Sequence, residues 1–171
     1  SGQVEWLAAG GDAWQGVEVG QTFESGDKVK TGLDGEATLA LENGSIVLLY
    51  PSTEFAIQSL TKDVDAERFE TILGILKGKL TADVEPLQND SIFEVETPVV
   101  VAAVRGTTLT PTVNPDGTIS IAGDNGAVEL TRDAEGTGFT AVLEGAEAFI
   151  EYEADTGVLR ITCVRGSFTV K

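Results

Sequence analysis

The side chains that could do chemistry in this sequence are nearly all carboxylates. The chain has 28 Asp and Glu, a single cysteine, Cys163, and no histidine. Without histidine, Ser-His-Asp and Cys-His catalysis and His-bound zinc or haem are excluded, and one cysteine forms neither an internal disulfide nor a cysteine-based metal cluster. A glycosidase-like pair needs only two carboxylates, but no segment points to such a pair. We therefore predict no enzymatic activity and no cofactor.

The carboxylates are concentrated near the end of the chain. Between Asp133 and Asp155 there are seven acids and no Lys or Arg, which is compatible with a calcium site or a partner-binding surface. However, no segment has the evenly spaced oxygen ligands of an EF-hand loop, and charges at strand edges also discourage aggregation between sheets. We favour the interpretation that these acids protect strand edges from aggregation, and calcium binding stays an open alternative.

The formal net charge of −17 restricts the classes of partner. It repels nucleic acid and anionic membrane surfaces, and no apolar run approaches the ~20 residues that cross a bilayer. We expect neither nucleic-acid binding nor membrane insertion of this segment. The sequence also contains no methionine, so we expect it to be a processed or excised piece of a longer chain.

One of the 11 Lys and Arg stands at an unusual position. Arg105 ends the apolar run "TPVVVAAVR", where its neighbours favour burial. A buried guanidinium needs partners for its five donors, and strand-end carbonyls or a carboxylate such as that of Asp27 would supply them. Gly106 would provide a positive φ or a bulge, and Thr97-Pro98 an extended start. We favour this structural role; the alternative is an exposed arginine that recognises a ligand carboxylate or a partner protein.

The elements that would position these residues are short strands joined by tight turns. "EATLALE" and "TISIAGD" alternate apolar and polar residues and should each turn one face to a core. The residues on that face are Ala37, Leu39 and Leu41 in the first stretch and Ile119 and Ile121 in the second. Dipeptides that accept a positive φ flank both stretches and indicate hairpins. These dipeptides are Asp34-Gly35, Asn43-Gly44, Asp116-Gly117 and Asn125-Gly126.

One segment has two conflicting patterns. In "ERFETILGILKG" the apolar residues Phe69, Ile72, Leu73 and Leu76 follow helical spacing, but Gly74 weakens a helix and the β-branched residues around it favour a strand. We predict a strand here. Further strands are predicted at 46–50, 54–58, 78–84, 92–96, 99–104, 139–143, 147–152 and 158–163.

Long helical patterns are absent elsewhere, which predicts an all-β protein. We expect its antiparallel hairpins to form a β-sandwich, a roll or a short solenoid-like stack. A chain of 171 residues suits one domain. We assign residues 1–156 to that domain and residues 157–171 to a strand-rich tail, packed on the same domain or on a neighbouring subunit.

The order of motifs over roughly residues 4–150 resembles the FecR-like domain, the extracytoplasmic part of the iron-citrate regulator family. The resemblance makes the hallmark block a fold signature rather than an active site. The hallmark consists of Thr97, Pro98, Ala103, Val104, Arg105, Gly106 and Thr107, and it is preceded by Gly26-Asp27, Val29, Thr31-Gly32, Asn43-Gly44-Ser45, Pro51, Thr53, Leu76 and Gly78.

The resemblance implies a non-enzymatic domain in the periplasm, at the cell surface or secreted, which binds a partner protein through a strand edge or a loop. Signalling members of the family relay receptor occupancy to a sigma factor. The alternative is a secreted structural or fibre subunit that self-assembles through β-strand edges, using residues 157–171 as an added strand. Carbohydrate binding is a third interpretation, based on Trp6 and Trp14.

Overall fold

Every regular element in the described part of the chain is a β-strand. The computed structural model describes residues 1–124, 126–132 and 140–170, which include no helix and hence none that could span a membrane. The strands are β1 (Val4–Leu7), β2 (Gln15–Gly16), β3 (Lys28–Thr31), β4 (Ala37–Ala40), β5 (Ile46–Leu49), β6 (Glu54–Asp63), β7 (Arg68–Asp83), β8 (Ile92–Glu96), β9 (Val101–Val104), β10 (Thr108–Val113), β11 (Ile119–Asp124), β12 (Ala127–Thr131), β13 (Thr140–Glu153) and β14 (Val158–Val170).

Seven of the fourteen described strands close into a barrel. Their order is β7, β8, β9, β12, β13, β11 and β10, and β10 pairs again with β7, from Thr108 opposite Asp83 to Val113 opposite Gly78. The all-β prediction is confirmed. The arrangement is a closed barrel with attached strands, whereas the sequence suggested a sandwich, a roll or a stack. The difference arises because closure depends on the distant pairing of β10 with β7, which no local pattern encodes.

The remaining strands are attached to the two longest members of the barrel. β6 pairs with the first part of β7, and β3, β1 and β2 follow outward from it. β5 pairs with the last part of β7 and carries β4 on its other side. β14 lies against β13. Two strands that are near in sequence, β3 and β4, are therefore connected to different parts of β7, β3 through β6 and β4 through β5.

β7 and β13 each change their buried face part-way along. In β7 the buried Leu73 and Ile75 precede a register shift at Leu76, and the buried Leu80 and Ala82 follow it. Because side chains alternate along a strand, one extra residue moves the inward set from odd to even positions. β13 makes the same change at its register shift between Glu144 and Glu147. Its buried residues are Ala141 and Leu143 before the shift, and Ala146, Ala148 and Ile150 after it.

The conflicting pattern of "ERFETILGILKG" combines residues from both faces of one strand. The strand prediction for this segment is confirmed, because it forms the first part of β7. Phe69 and Leu73 lie on one face and the half-buried Ile72 on the other, while Leu76 is the extra residue at the bulge. Alternation without a bulge gave the right face directly, since Leu39, Ile119 and Ile121 are buried. Ala37 and Leu41 are only partly buried but pack against the same core.

Two of the four predicted hairpins are confirmed. The Asn43-Gly44 turn joins β4 to β5, and the Asp116-Gly117 turn joins β10 to β11. In the second turn Asp116 accepts hydrogen bonds from the hydroxyl and the N–H of Thr118, at 2.6 and 3.0 Å. These bonds hold the pKa of this exposed carboxyl below its usual value.

The other two dipeptides do not join paired strands. Gly35 donates to the carbonyl of Gly32 at 3.1 Å in a turn, but the strands around it pair elsewhere, β3 with β1 and β6, and β4 with β5. Asn125 lies outside the described residues, and β11 and β12 on either side of it pair in succession with β13, not with each other. Both hairpin predictions are wrong, because such dipeptides indicate a bend of the chain without fixing the partner of the next strand.

The C-terminal strand β14 is an edge strand of the same molecule. It pairs with β13 from Val158 opposite Glu153 to Val170 opposite Ala141. The division of the chain at residue 156 stays a prediction, since the pairing does not show whether the remainder folds alone. Three side chains of β14 pack against the core: Leu159, Ile161 and Phe168.

Two buried threonines fasten the bend of β7 to the strands beside it. Thr53 Oγ1 donates to the carbonyl of Lys79 and accepts its N–H, both at 3.0 Å. Thr31 Oγ1 donates to the carbonyl of Tyr50 at 2.7 Å and accepts the N–H of Thr53 at 2.9 Å. Gly78, with φ +90°, lies against Thr53, and a Cβ there would collide with Thr53 Oγ1. Only glycine fits this position.

We expect Thr53→Val to lower the free energy of unfolding by about 1–3 kcal/mol, because the N–H of Lys79 loses its buried partner. For a chain of this size that corresponds to a Tm lower by about 3–8 °C, measured by circular dichroism at neutral pH. Thr162→Val makes the same change at an exposed position of β14 and should melt within about 1 °C of wild type. Equal Tm values for the two variants would show that the Thr53 hydroxyl does not hold the bend.

Candidate partner-binding surface

The loop between β9 and β10 carries the Arg-Gly-Thr block. Val104 at the end of β9 is buried, and Arg105 after it is exposed. Across the described ranges no hydrogen bond or ion pair engages its guanidinium. The expected burial of Arg105 is therefore wrong. Period-two alternation could have found the correct side, since Ala102 and Val104 face the core and place Arg105 outward.

The two residues after Arg105 hold this loop in place. Gly106 has φ +103°, and a Cβ there would lie 2.8 Å from Pro86 Cα. Thr107 is buried; its hydroxyl donates to the carbonyl of Asp124, and its own carbonyl accepts the N–H of Val84 at 3.1 Å. The block thus contributes to the fold through Gly106 and Thr107, while the guanidinium before them stays at the surface.

Asp27 organises the loop that precedes β3 and does not pair with the arginine of the hallmark. Its carboxylate is 5% exposed and accepts the N–H groups of Ala9 and Glu24, at 2.8 and 2.9 Å. The neighbouring Gly26 donates to the carbonyl of Ile57 on β6 at 2.7 Å. These bonds connect the loop to β6 and to the residues after β1, and so fix the position of the loop.

Thr97-Pro98 lies in the turn between β8 and β9. The hydroxyl of Thr97 donates to the carbonyl of Val100 at 2.8 Å and accepts its N–H at 3.0 Å, and the N–H of Thr97 donates to the same carbonyl at 2.9 Å. The structural role assigned to the hallmark residues stays a prediction until they are substituted. They do not form one cluster with Asp27, which lies in the loop before β3.

A groove of about 860 Å³ opens beside the loop that Asp27 holds. Residues 20–25 form one wall, β4 and the turn after it form another, and the adjoining parts of β6 and β7 complete it. Leu39, Ile57 and Phe69 give the groove an apolar lining. It lies between the parts of the sheet that are attached to the two halves of β7.

The β4 wall presents an unpaired strand edge. β4 pairs with β5 on one side, and no described strand pairs with its other side. Because the N–H of Leu41 donates to the carbonyl of Ser45 at 2.9 Å, the odd-numbered residues of β4 are those that bond to β5. The main-chain groups of Thr38 and Ala40 therefore point to the open side. Both residues are exposed and line the groove.

The rim of the groove is acidic. Its lining includes Glu24, Glu42 and Glu70, against the single cation Lys62. Lys62 Nζ lies 3.7 Å from the carboxylate of Glu42 and 5.2 Å from the centre of the Phe69 ring. The cation is already engaged within the chain, so the charge that the groove offers to another molecule is negative.

Glu70, on the rim of the groove, also lies beside β8, which carries Glu94 and Glu96. Burial, followed by the charges of Glu96 and Glu70, raises the pKa of the half-buried Glu94 above its usual value. The described residues contain no group of three His, Cys, Asp or Glu arranged to hold a metal ion. Of the acidic stretch considered for calcium, residues 133–139 lie outside the described residues.

The two tryptophans contact other side chains of the chain. Trp6 packs edge-on against Phe23, with 6.1 Å between ring centres, and Lys30 Nζ lies 4.2 Å from the centre of the Trp14 ring. These contacts favour packing over the sugar binding considered from the sequence.

The sequence matches the FecR protein family over residues 27–129, which is more than half of the chain. The chain belongs to the FecR family. The resemblance noted from the motifs is confirmed, and the match includes the hallmark block, β4, β6 and β7 but not β13 or β14. Membership of this family gives the FecR domain a regulatory role in sensing or signalling.

Solved structures with the same fold include a putative anti-sigma factor from Parabacteroides distasonis ATCC 8503, determined at 1.65 and 2.50 Å resolution. Each superimposes with a TM-score of 0.61 at 12% identity, covering 80% of this FecR chain and 59% of the other. At this identity the likeness shows the fold alone. With 59% coverage, the chain spans less than two thirds of the length of that protein. A comparison with curated proteins found no match.

Sequence reasoning did not find the groove of this FecR domain. "EATLALE" indicated a half-buried strand, and β4 is that strand. Its open edge depends on where β3 pairs, and β3 bonds to β1 and β6 instead of β4. No local sequence pattern therefore predicts the groove; the sequence shows only the polar residues Thr38 and Glu42 beside the apolar face of β4.

We expect Glu94→Gln to stabilise the protein at neutral pH. A folded-state pKa raised above 4.5 means that the charged form is disfavoured by folding, so its cost appears as pH rises through the folded pKa and persists above it. The glutamine variant should melt about 1–3 °C above wild type at pH 7 and equal it near pH 4. Glu129→Gln, at an exposed position of β12, is the control. A Tm difference independent of pH would contradict this assignment.

Substitutions in the Arg-Gly-Thr block should separate its two parts. Arg105→Leu should melt within about 1 °C of wild type, because the exposed side chain has no partner among the described residues. Gly106→Ala should lose about 2–4 kcal/mol, from the positive φ and the contact with Pro86. Gly117→Ala, with φ +84° and open space around it, is the matched control for backbone strain alone and should lose less. A large loss in Arg105→Leu would restore the structural role of the arginine.

Proposed function

We propose that the chain is an extracytoplasmic protein-interaction domain of a FecR-type regulator and that it acts without catalysis. The observation that carries the proposal is the open edge of β4 beside a groove. Such an edge binds an extended segment of another protein by β-augmentation, with main-chain hydrogen bonds giving affinity and side-chain pockets giving specificity. Family membership supports the regulatory role, and the resemblance to the extracytoplasmic domain of iron-citrate regulators supports the location.

The output that we propose is control of a sigma factor. The Parabacteroides distasonis neighbour carries the name of an anti-sigma factor, and this chain spans 59% of it. A sigma factor acts in the cytoplasm, so a domain outside the cytoplasm would serve as the sensing part of the regulator. In this proposal partner binding at the domain changes how the rest of the regulator holds the sigma factor.

The proposed location can be tested by labelling a surface cysteine. Ser167 is exposed on β14, so Ser167→Cys in a Cys163→Ala background offers one reactive thiol. In cells that make the protein from its own gene, a maleimide that does not cross the inner membrane should label it once the outer envelope is permeabilised. The Cys163→Ala variant alone is the control for background. Labelling that requires lysis of the inner membrane would overturn the proposed location.

A structural subunit is the second candidate function, and β14 is the feature that favours it. Its outer edge is unpaired in the described residues, and Val158, Val164 and Val170 on it are 41%, 61% and 58% exposed. Addition of this edge to a neighbouring sheet would give a non-closing assembly. The net charge of −17 opposes close contact between copies, which is why the interaction domain is preferred.

Light scattering on size-separated protein decides between the two functions. With and without millimolar calcium, we expect a monomer. Deletion of residues 157–171 should then lower the Tm by several degrees, because β13 loses its partner along one edge. Ordered fibres or a ladder of oligomers, abolished by the same deletion while the body stays folded, would favour the structural subunit.

A further inference from the structure

We propose that the groove beside β4 receives an extended segment of a partner protein in which apolar residues alternate with lysine or arginine, added as a strand to β4. The inference rests on the proposed function and names the kind of partner that the interaction surface fits. It follows from three observations: the direction of the main-chain groups of β4, the apolar lining of the groove and the charge of its rim.

The main chain of β4 supplies the hydrogen bonds. Thr38 and Ala40 point their N–H and C=O groups away from β5, and no described strand bonds to them. β4 is four residues long, so it offers a ladder of about 13 Å. The open edge ends at Glu36, whose N–H and C=O already bond to Ser1, both at 2.8 Å. A segment of about four extended residues matches this edge, whereas a helix would leave the groups of Thr38 and Ala40 without partners.

The lining of the groove sets the pattern of the incoming segment. Side chains of an added strand alternate between the two faces of the sheet. Residues on the same face as the buried Leu39 would meet the apolar lining at Ile57 and Phe69. The residues between them would face solvent near the rim. A period of two, apolar then polar, is therefore what the groove accepts.

The rim sets the charge of the polar positions. Three glutamates, Glu24, Glu42 and Glu70, line the groove, and Lys62 is already within 3.7 Å of Glu42. Lysine or arginine on the incoming strand would lie near Glu24 and Glu70, which have no ion pair among the described residues, whereas aspartate or glutamate would be repelled. A second copy of this chain, with a net charge of −17, is disfavoured as the occupant for the same reason.

The test uses a synthetic probe on the whole chain. A fluorescein-labelled octapeptide of alternating lysine and valine is titrated with the protein and followed by fluorescence anisotropy. Two control peptides have the same composition: one groups its lysines and valines in separate blocks, and one is N-methylated at alternate residues so that it cannot complete a strand ladder. We expect the alternating peptide to bind at least about fivefold more tightly than either control. A fivefold difference in affinity corresponds to the net free energy of about one hydrogen bond, and the ladder should supply at least that.

Two kinds of variant locate the peptide. Ala40→Pro removes the N–H on the open side of β4 without removing a bond to β5, and edge strands tolerate proline at such a position. This variant should weaken binding about fivefold or more. Ala40→Val keeps the N–H and is its control. Glu24→Lys with Glu42→Lys should also weaken binding about fivefold or more. Glu129→Lys with Glu151→Lys makes the same change in net charge at exposed positions outside the groove and should have a smaller effect.

Amide hydrogen exchange gives a readout that does not depend on a variant. Bound peptide should slow exchange at Thr38 and Ala40 more than at the exposed strand β14. The inference is overturned if the alternating peptide does not bind at millimolar concentration, if the N-methylated peptide binds as well, or if the charge control acts as strongly as the rim variant. These results bear on the occupant and its strand addition to β4; the location of the domain and its monomeric state are tested separately, by the labelling and light-scattering experiments.

Discussion

The bend of β7 is the constraint on which the rest of the structure depends. Before Leu76 the strand buries odd positions between β6 and β8, and after it even positions between β5 and β10. One strand thus belongs to two parts of the sheet, and the barrel closes because β10 reaches its second part. The hydroxyl of Thr53 bridges both main-chain groups of Lys79 directly after Gly78, which fixes the bend where the two parts meet.

The groove is a consequence of the same bend. β6 and β5 occupy successive stretches along β7, so β3, carried by β6, and β4, carried by β5, are held apart. The edge that β4 would have used to pair with β3 remains open. Asp27 then fixes the loop before β3 opposite that edge. The candidate partner-binding surface is therefore the gap between β3 and β4, which the bend of β7 separates.

Local physics determined the parts of this fold that the sequence made predictable. Alternation placed Leu39, Ile119 and Ile121 in the core, and the turn residues of Asn43-Gly44 and Asp116-Gly117 gave hairpins. The errors share one cause, which is pairing at long range. Whether the strands on either side of Asp34-Gly35 pair with each other, and whether β10 returns to β7, depend on contacts between segments far apart in sequence. The groove is formed entirely by such long-range contacts, so local sequence patterns could not predict it.

The family motif and the candidate surface carry different information. Thr31, Thr53, Gly78, Gly106 and Thr107 each close a bend or a turn through main-chain contacts, so a match to the FecR family reports the scaffold. In the proposed function the partner is selected by residues outside this set, those on the rim of the groove. Arg105 is the exception within the motif. Its guanidinium has no partner among the described residues, and the loop around it is held by Gly106 and Thr107, so the motif joins a surface side chain to two residues that fix the backbone.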